Sequence, residues 1–181
     1  DVVLESPELT LPHPWLAVRR FVLAPAVEVA ALWRHPVLGW TLEELLAHLD
    51  SAANYIAMGG IPRTGKTAVV QQLATERGVR PLFDATVETA VASVSQDPAG
   101  PIWAAEIEFL AGRQQRLAAE HWGSQPGWTV SDFWLGQGLV YASVRLSPDE
   151  FDRYRERWLE AAGTVVAPKL LVLLEPPRQR T

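Results

Sequence analysis

The sequence has no cysteine, which excludes disulfide staples, thiolate metal sites and thiol nucleophiles. Any catalysis is left to carboxylates, lysine, histidine or metal-bound water. Long apolar runs are missing too: nothing approaches the ~20 residues that span a bilayer, the longest candidate being Leu170 to Leu174. The acidic start lacks the pattern of a signal peptide. No membrane partner is expected, and the cytoplasm is the expected compartment. Nor is there an excess of positive charge. Sixteen Lys and Arg stand against 21 Asp and Glu, a net charge of −5, so nucleic acid is not an expected partner. Internal repeats and low-complexity tracts are absent. His35, His48 and His121 are scattered without metal-ligand spacing and are assigned no chemistry.

What is present suffices for a sizeable core. The 181 residues are 48% apolar, enough for one ordinary domain or for a small domain joined to part of another. Asp1 in place of Met, and the short distance from the last apolar run to Thr181, carry the expectation that both ends are cut.

The pattern changes near residue 50. Residues 1 to 14 are turn-rich, with Pro7, Pro12 and Pro14. Apolar residues then recur at helical spacing from Arg19 to Trp33, and Pro25, best tolerated in a first turn, predicts a helix that begins near it. Thr41-Leu42-Glu43-Glu44 is a capping box opening a helix through Leu49, and Asp50 to Ala53 reads as a domain joint. Beyond it strands and helices alternate, the rhythm of a parallel sheet covered on both faces. The expected elements are strand 54–58, helix 66–77 ended by Gly78, strand 79–83, a short helix near 86–94 and a loop at 96–100. There follow a long helix over 102–121, strand 128–132, a helix near 134–144, a helix opened by the capping box Ser147-Pro148-Asp149-Glu150, and strand 170–174.

Between the first of these strands and its helix lies Gly60-Ile61-Pro62-Arg63-Thr64-Gly65-Lys66-Thr67, which fits GxxxxGK[ST]. A chain of this length meets those four fixed positions by accident about once in a hundred tries. In such a loop Gly60 and Gly65 let backbone N–H groups close on phosphate oxygens, Lys66 brings a point charge to the outer phosphates, and Thr67 offers a hydroxyl to Mg²⁺. The following helix aims its positive end at the same anion. Only two lysines exist in the chain, Lys66 and Lys169, which argues against Lys66 being an idle surface charge.

Phosphoryl transfer also needs carboxylates near the acceptor and the metal, and the carboxyl ends of parallel strands are where they sit. Asp84 and Asp132 each close an expected strand, although either could equally serve as a helix cap. On the long helix Arg113, Arg116, Glu106 and Glu108 carry charge; a solvated face is preferred for Arg116, while Arg113 stays open. The aromatics Trp103, Trp122, Trp128, Phe133 and Trp134 could stack on a base, but such spacings more often mark core. His13 lies in a rigid Pro-His-Pro loop with Arg19, Arg20 and Phe21 close behind, as a phosphate or ring contact would.

Two resemblances meet at the joint. Leu9 to Pro14, Arg19 to Pro25, Glu28, His35 to Gly39 and Thr41 to Leu46 resemble the C-terminal third of hydroxymethyldihydropterin pyrophosphokinase, over about fifty residues. The resemblance implies that His13 and Arg19 contact ATP and that Phe21 stacks on the pterin; the family's metal-binding Asp pair has no counterpart in residues 1–50. Residues 54–181 resemble the deoxynucleoside kinase family, particularly its bacterial purine members, in Tyr55-Ile56-Ala57 leading into the phosphate loop, Asp97-Pro98, Phe109-Leu110 with Arg113 and Gln115, Val130-Ser131-Asp132-Phe133, Tyr154 and Pro168. That resemblance implies a general base for the deoxyribose 5′-hydroxyl at Asp84, with Glu88 as rival, and an organising role for Asp132 or Arg113. The family's base-reading glutamine falls on Ala104, with Glu106 two places on as the substrate contact. Arg63 replaces a customary third glycine, and the arginine-rich lid is barely begun at Arg178 and Arg180.

Together these give an α/β chain: a P-loop kinase-like parallel sheet with helices on both faces over 54–181, preceded over 1–50 by the small, mostly helical tail of a ferredoxin-like pyrophosphokinase domain. The expected activity is bifunctional ATP-dependent phosphotransfer. Its alternative is a principal pyrophosphokinase activity with a degenerate, nucleotide-binding or scaffolding kinase half. ATP and Mg²⁺ are the expected cofactors, a deoxynucleoside and hydroxymethyldihydropterin the small-molecule partners, and a homodimer is an admitted assembly.

Overall fold

Tyr55 and Ala57 turn to one face of their strand, Ile56 and Met58 to the other, and both faces are covered. The computed structural model describes residues 2–84, 101–122 and 127–175. Its contacts divide the chain into two units, Asp1–Ala52 and Ala53–Thr181.

In the first unit a short antiparallel pair, β1 (Leu4–Glu5) and β2 (Thr10–Leu11), precedes helices α1 (Arg20–Ala30) and α2 (Leu42–Ser51). The helices close on Leu23, Leu42 and Leu45. Helix α2 opens with the expected capping box: Glu44 N–H donates to Thr41 Oγ1 at 3.1 Å, and Thr41 N–H donates to Glu44 Oε2 at 2.7 Å. Helix α1 differs from the sequence expectation. It starts at Arg20 and carries Pro25 in its interior, where a missing N–H and a ring clash cost ~3 kcal/mol or more in an isolated helix. Burial of Leu23, fully inaccessible and packed against α2, offsets that cost, which no local reading weighs.

The second unit holds a four-stranded parallel sheet in the order β4-β5-β3-β6, built from β3 (Ala53–Gly59), β4 (Arg80–Leu82), β5 (Thr129–Ser131) and β6 (Pro168–Leu173). Period-two alternation divides β3 between two cores. Met58 packs with Val70 and Val130 beneath α3 (Lys66–Arg77). Tyr55 and Ala57 join Leu110 and Leu117 of α4 (Pro101–Leu117), Ala142 of α5 (Gln137–Arg145) and Tyr154 and Ala161 of α6 (Pro148–Ala162). Helices therefore cover both faces, as the alternating pattern requires.

The buried Tyr55 hydroxyl is shared with Ser131 Oγ at 2.8 Å and donates to the Phe133 carbonyl at 3.2 Å, fixing β3 against β5. Burial pushes its pKa up. Helix α3 ends on Gly78 in the left-handed region, φ 64°, and α6 opens on the Ser147–Glu150 capping box. Two ends differ from expectation. Helix α4 stops at Leu117, whose carbonyl accepts Val166 N–H, while Ala118 bridges to Val165; the last turn gives up helical bonds to tie down the approach to β6. Helix α5 starts at Gln137 because Trp134 and Leu135 carbonyls take turn bonds from Gln137 and Gly138 N–H. The expected helix at 86–94, the loop at 96–100 with Asp97-Pro98, Glu88, Arg178 and Arg180 lie outside the described residues. Among the described residues no helix is long and apolar enough to cross a membrane.

Candidate active site

Three neighbouring parallel strands, β3, β4 and β5, deliver the site at their carboxyl ends. After β3 the chain turns through Gly60 at φ 131° and Gly65 at φ 87°, and Gly65 caps α3. Glycine is required at 60 on two counts: the φ is left-handed, and a Cβ would fall against the Leu174 carbonyl oxygen. Leu174 N–H donates to Gly59 O at 2.9 Å, which holds the end of β6 against the start of the loop. Inside the loop Thr64 Oγ1 donates to Ile61 O at 2.9 Å. Arg63 has φ 69°, the positive value its customary glycine would adopt freely.

Lys66, first residue of α3, folds back over this loop. Its ammonium donates to Gly60 O at 2.9 Å and Ile61 O at 2.8 Å. Burial lowers its pKa from the usual lysine value, and the Asp132 and Asp84 carboxylates act in the opposite direction. Thr67 Oγ1 donates to Asp132 Oδ2 at 2.6 Å, and Asp132 Oδ1 accepts the Asp84 backbone N–H at 2.8 Å. Asp132 thus joins the helix behind the phosphate loop to the end of β4.

Asp84 itself meets Arg113 through two parallel bonds, Nε to Oδ1 at 3.1 Å and Nη2 to Oδ2 at 2.6 Å. The Arg113 side chain is 4% exposed, and its guanidinium lies 5.3 Å from the Phe109 ring centre. Gln137 Nε2 also donates to Asp84 Oδ2, at 3.2 Å. Farther along, Glu106 Oε1 accepts Arg145 Nη1 at 2.6 Å. Helical spacing explains the grouping: Glu106, Phe109 and Arg113 share one face of α4 at i, i+3 and i+7, and Gln137, Tyr141 and Arg145 share one face of α5 at i, i+4 and i+8.

All of these line one cavity of about 600 Å³, the size of a small-molecule site. It gathers Lys66, Thr67, Asp84, Glu106, Arg113 and Asp132 from the sequence expectations, with Arg63 on its rim. From α4 the wall takes Glu106, not Ala104. Gln137, Tyr141 and Arg145 also line it and were not singled out from the sequence. Their signal was there: three polar residues on one face of the helix after Asp132. Trp103 and Phe133 are core, and Trp128 lies beside Lys169, 5.9 Å from ring centre to Nζ. His13, Arg19 and Phe21 belong to the first unit. There His13 Nδ1 accepts Trp15 N–H at 3.0 Å, Arg19 is half-buried, and the Phe21 ring is 74% exposed.

The donor set suits Mg²⁺. Thr67 and Asp132 supply hard oxygens beside the lysine, and Mg²⁺ keeps several waters and needs only one or two carboxylates besides substrate phosphates. A cluster of three or more acidic or histidine ligands, which is absent among the described residues, is not called for.

No family model matches the chain. Over 74 residues, 41% of its length, it is 35% identical to 2-amino-4-hydroxy-6-hydroxymethyldihydropteridine pyrophosphokinase from Synechocystis sp., and it spans 38% of that protein. Among solved structures it is similar to NadR protein in complex with NR, with a TM-score of 0.55 and 16% identity over 74% of this chain and 37% of that one. It is similar also to deoxyadenosine kinase from M. mycoides with products dCMP and a flexible dCDP bound, with a TM-score of 0.53 and 13% identity over 66% of this chain and 63% of the other. At these identities the structural matches establish the fold, that of a P-loop kinase, and nothing further.

Proposed function

We propose that the second unit is an ATP-dependent kinase that passes the γ-phosphoryl group to the 5′-hydroxyl of a deoxynucleoside, on a chain whose first unit is part of a pterin pyrophosphokinase. The assignment takes residues 54–181 as the kinase portion and 1–50 as the pyrophosphokinase portion. The observation that carries it is a single cavity in which Lys66 and Thr67 of a strand–loop–helix meet Asp84 and Asp132 from the two adjoining strand ends. Few other chemistries call for that grouping.

In this reading the loop amides between Gly60 and Thr67 bind the triphosphate. Lys66, whose ammonium the Gly60 and Ile61 carbonyls hold over the loop, supplies the charge that neutralises the outer phosphates. Thr67 and Asp132 hold Mg²⁺, which when bound neutralises and aligns the phosphates. Asp84 accepts the proton of the attacking hydroxyl, while Arg113 and Gln137 fix the direction of its carboxylate. Glu106 contacts the nucleoside. In the first unit His13 and Arg19 are assigned to ATP, and the exposed Phe21 ring to the pterin.

Lys66→Ala tests the central claim. It is expected to lower ATP-dependent phosphorylation of deoxynucleosides by at least about 10²-fold and to weaken ATP binding, measured by radiometric assay and calorimetry. Undiminished activity would refute the assignment. A second reading has support of its own in the 35% identity to a pyrophosphokinase: that activity is the principal one and the kinase half binds nucleotide without turnover. Transfer to hydroxymethyldihydropterin, with ATP held but no deoxynucleoside phosphorylated, would favour it.

A further inference from the structure

The kinase reading leaves the base unspecified, and the α4 and α5 wall of the cavity bears on it. Glu106 is a carboxylate placed where a cavity meets a core, its side chain 2% exposed. Among the described residues its hydrogen bond comes from Arg145 alone. A carboxylate has about four lone-pair positions, and one bond leaves the rest to be satisfied. Two more buried polar atoms belong to residues lining the same cavity. Gln137 Oε1, an acceptor, and Arg113 Nη1, a donor, have no hydrogen-bond partner among the described residues. Neither atom is open to a ligand, so what the wall presents to one is the Glu106 carboxylate with the half-exposed Arg145 guanidinium beside it.

We propose that the acceptor substrate is a 2-amino-6-oxopurine nucleoside, deoxyguanosine in class, with the Glu106 carboxylate taking its N1–H and 2-amino group. This rests on the kinase reading and adds the choice of base. The ground is donor order. Of the four common bases only guanine sets two donors side by side at the spacing of two carboxylate oxygens, with the O6 acceptor next to them for a guanidinium. Adenine and cytosine would turn a ring-nitrogen lone pair toward the carboxylate. Thymine offers one N–H between two carbonyls, which the carboxylate repels.

Calorimetric binding to the full chain tests this with deoxyguanosine, deoxyinosine, which lacks only the 2-amino group, and deoxyadenosine. Deoxyguanosine is expected to bind tightest, deoxyinosine about 10-fold more weakly and deoxyadenosine about 100-fold more weakly. Glu106→Gln replaces two acceptors by one acceptor and one donor, so the gap between deoxyguanosine and deoxyadenosine should shrink by about 10-fold or more. The wild-type series decides the matter even if that variant folds poorly. Deoxyadenosine or deoxyinosine binding as tightly as deoxyguanosine would overturn the base assignment while leaving the kinase reading intact. ATP bound with no nucleoside held would overturn both.

Discussion

The cavity has two kinds of wall. One is a stretch of eight consecutive residues, Gly60 to Thr67, whose shape comes from positive φ angles and missing Cβ atoms. The other is assembled from Asp84, α4 and α5, and its members meet as ion pairs across 29 and 39 residues of sequence. A wall made of main chain tolerates the loss of side chains but not the addition of atoms. A wall made of paired charges tolerates extra bulk at its rim but not the loss of a partner.

The largest expected effect lies on the charged wall. Arg113→Ala leaves the Asp84 carboxylate, with a side chain only 18% exposed, without its guanidinium. Breaking such a pair from one side costs about 3–5 kcal/mol, measurable by urea unfolding. Adding Asp84→Ala to Arg113→Ala should recover part of the loss, because the carboxylate that lost its guanidinium goes with it. Equal losses for the single and double variants would mean that packing on Phe109, not charge, holds this wall together.

On the main-chain wall the expected effects are smaller and follow geometry. Gly60→Ala puts a methyl against the Leu174 carbonyl at φ 131° and should cost about 2–3 kcal/mol. Gly65→Ala meets nothing within 4 Å and carries only the left-handed penalty of about 1–2 kcal/mol. Thermal unfolding of the two variants side by side checks the order. If they cost the same, the contact of the loop with the end of β6 adds nothing to the shape.

The same division explains what could be read from the sequence. The phosphate loop, the Thr41 and Ser147 capping boxes and the Gly78 stop are written in residues within a turn or two of each other, and each stands where the spacing put it. The alternation of strands with helices beyond residue 53 likewise told of a parallel sheet covered on both faces. Helical spacing gathers Glu106 with Arg113, and Gln137 with Arg145, on one face of their helices, but the pairing of Arg113 with Asp84, the burial of Glu106 against Arg145 and the turning of Gln137 into the cavity depend on how α4 and α5 lie on the sheet, which that spacing does not encode. Pro25 failed in the other direction. A sound local rule placed a helix start there, and the tertiary burial of Leu23 overrode it.

Arg63 lies where the two walls' principles collide, a charged side chain on a residue whose backbone favours none. At φ 69° an L residue other than glycine sits about 1 kcal/mol above its preferred conformations, and such strain persists where the surroundings or a function hold it. Arg63 lines the cavity together with Lys66 and Thr67, the residues assigned to the triphosphate and its metal. Arg63→Gly should therefore raise the melting temperature by about 2–4 °C while weakening ATP binding several-fold, the two effects having opposite signs for one substitution. A higher melting temperature with unchanged ATP affinity would make the arginine a strained passenger. An unchanged melting temperature would show that contacts of its side chain already repay the backbone, and the main-chain wall would then owe part of its shape to a side chain after all.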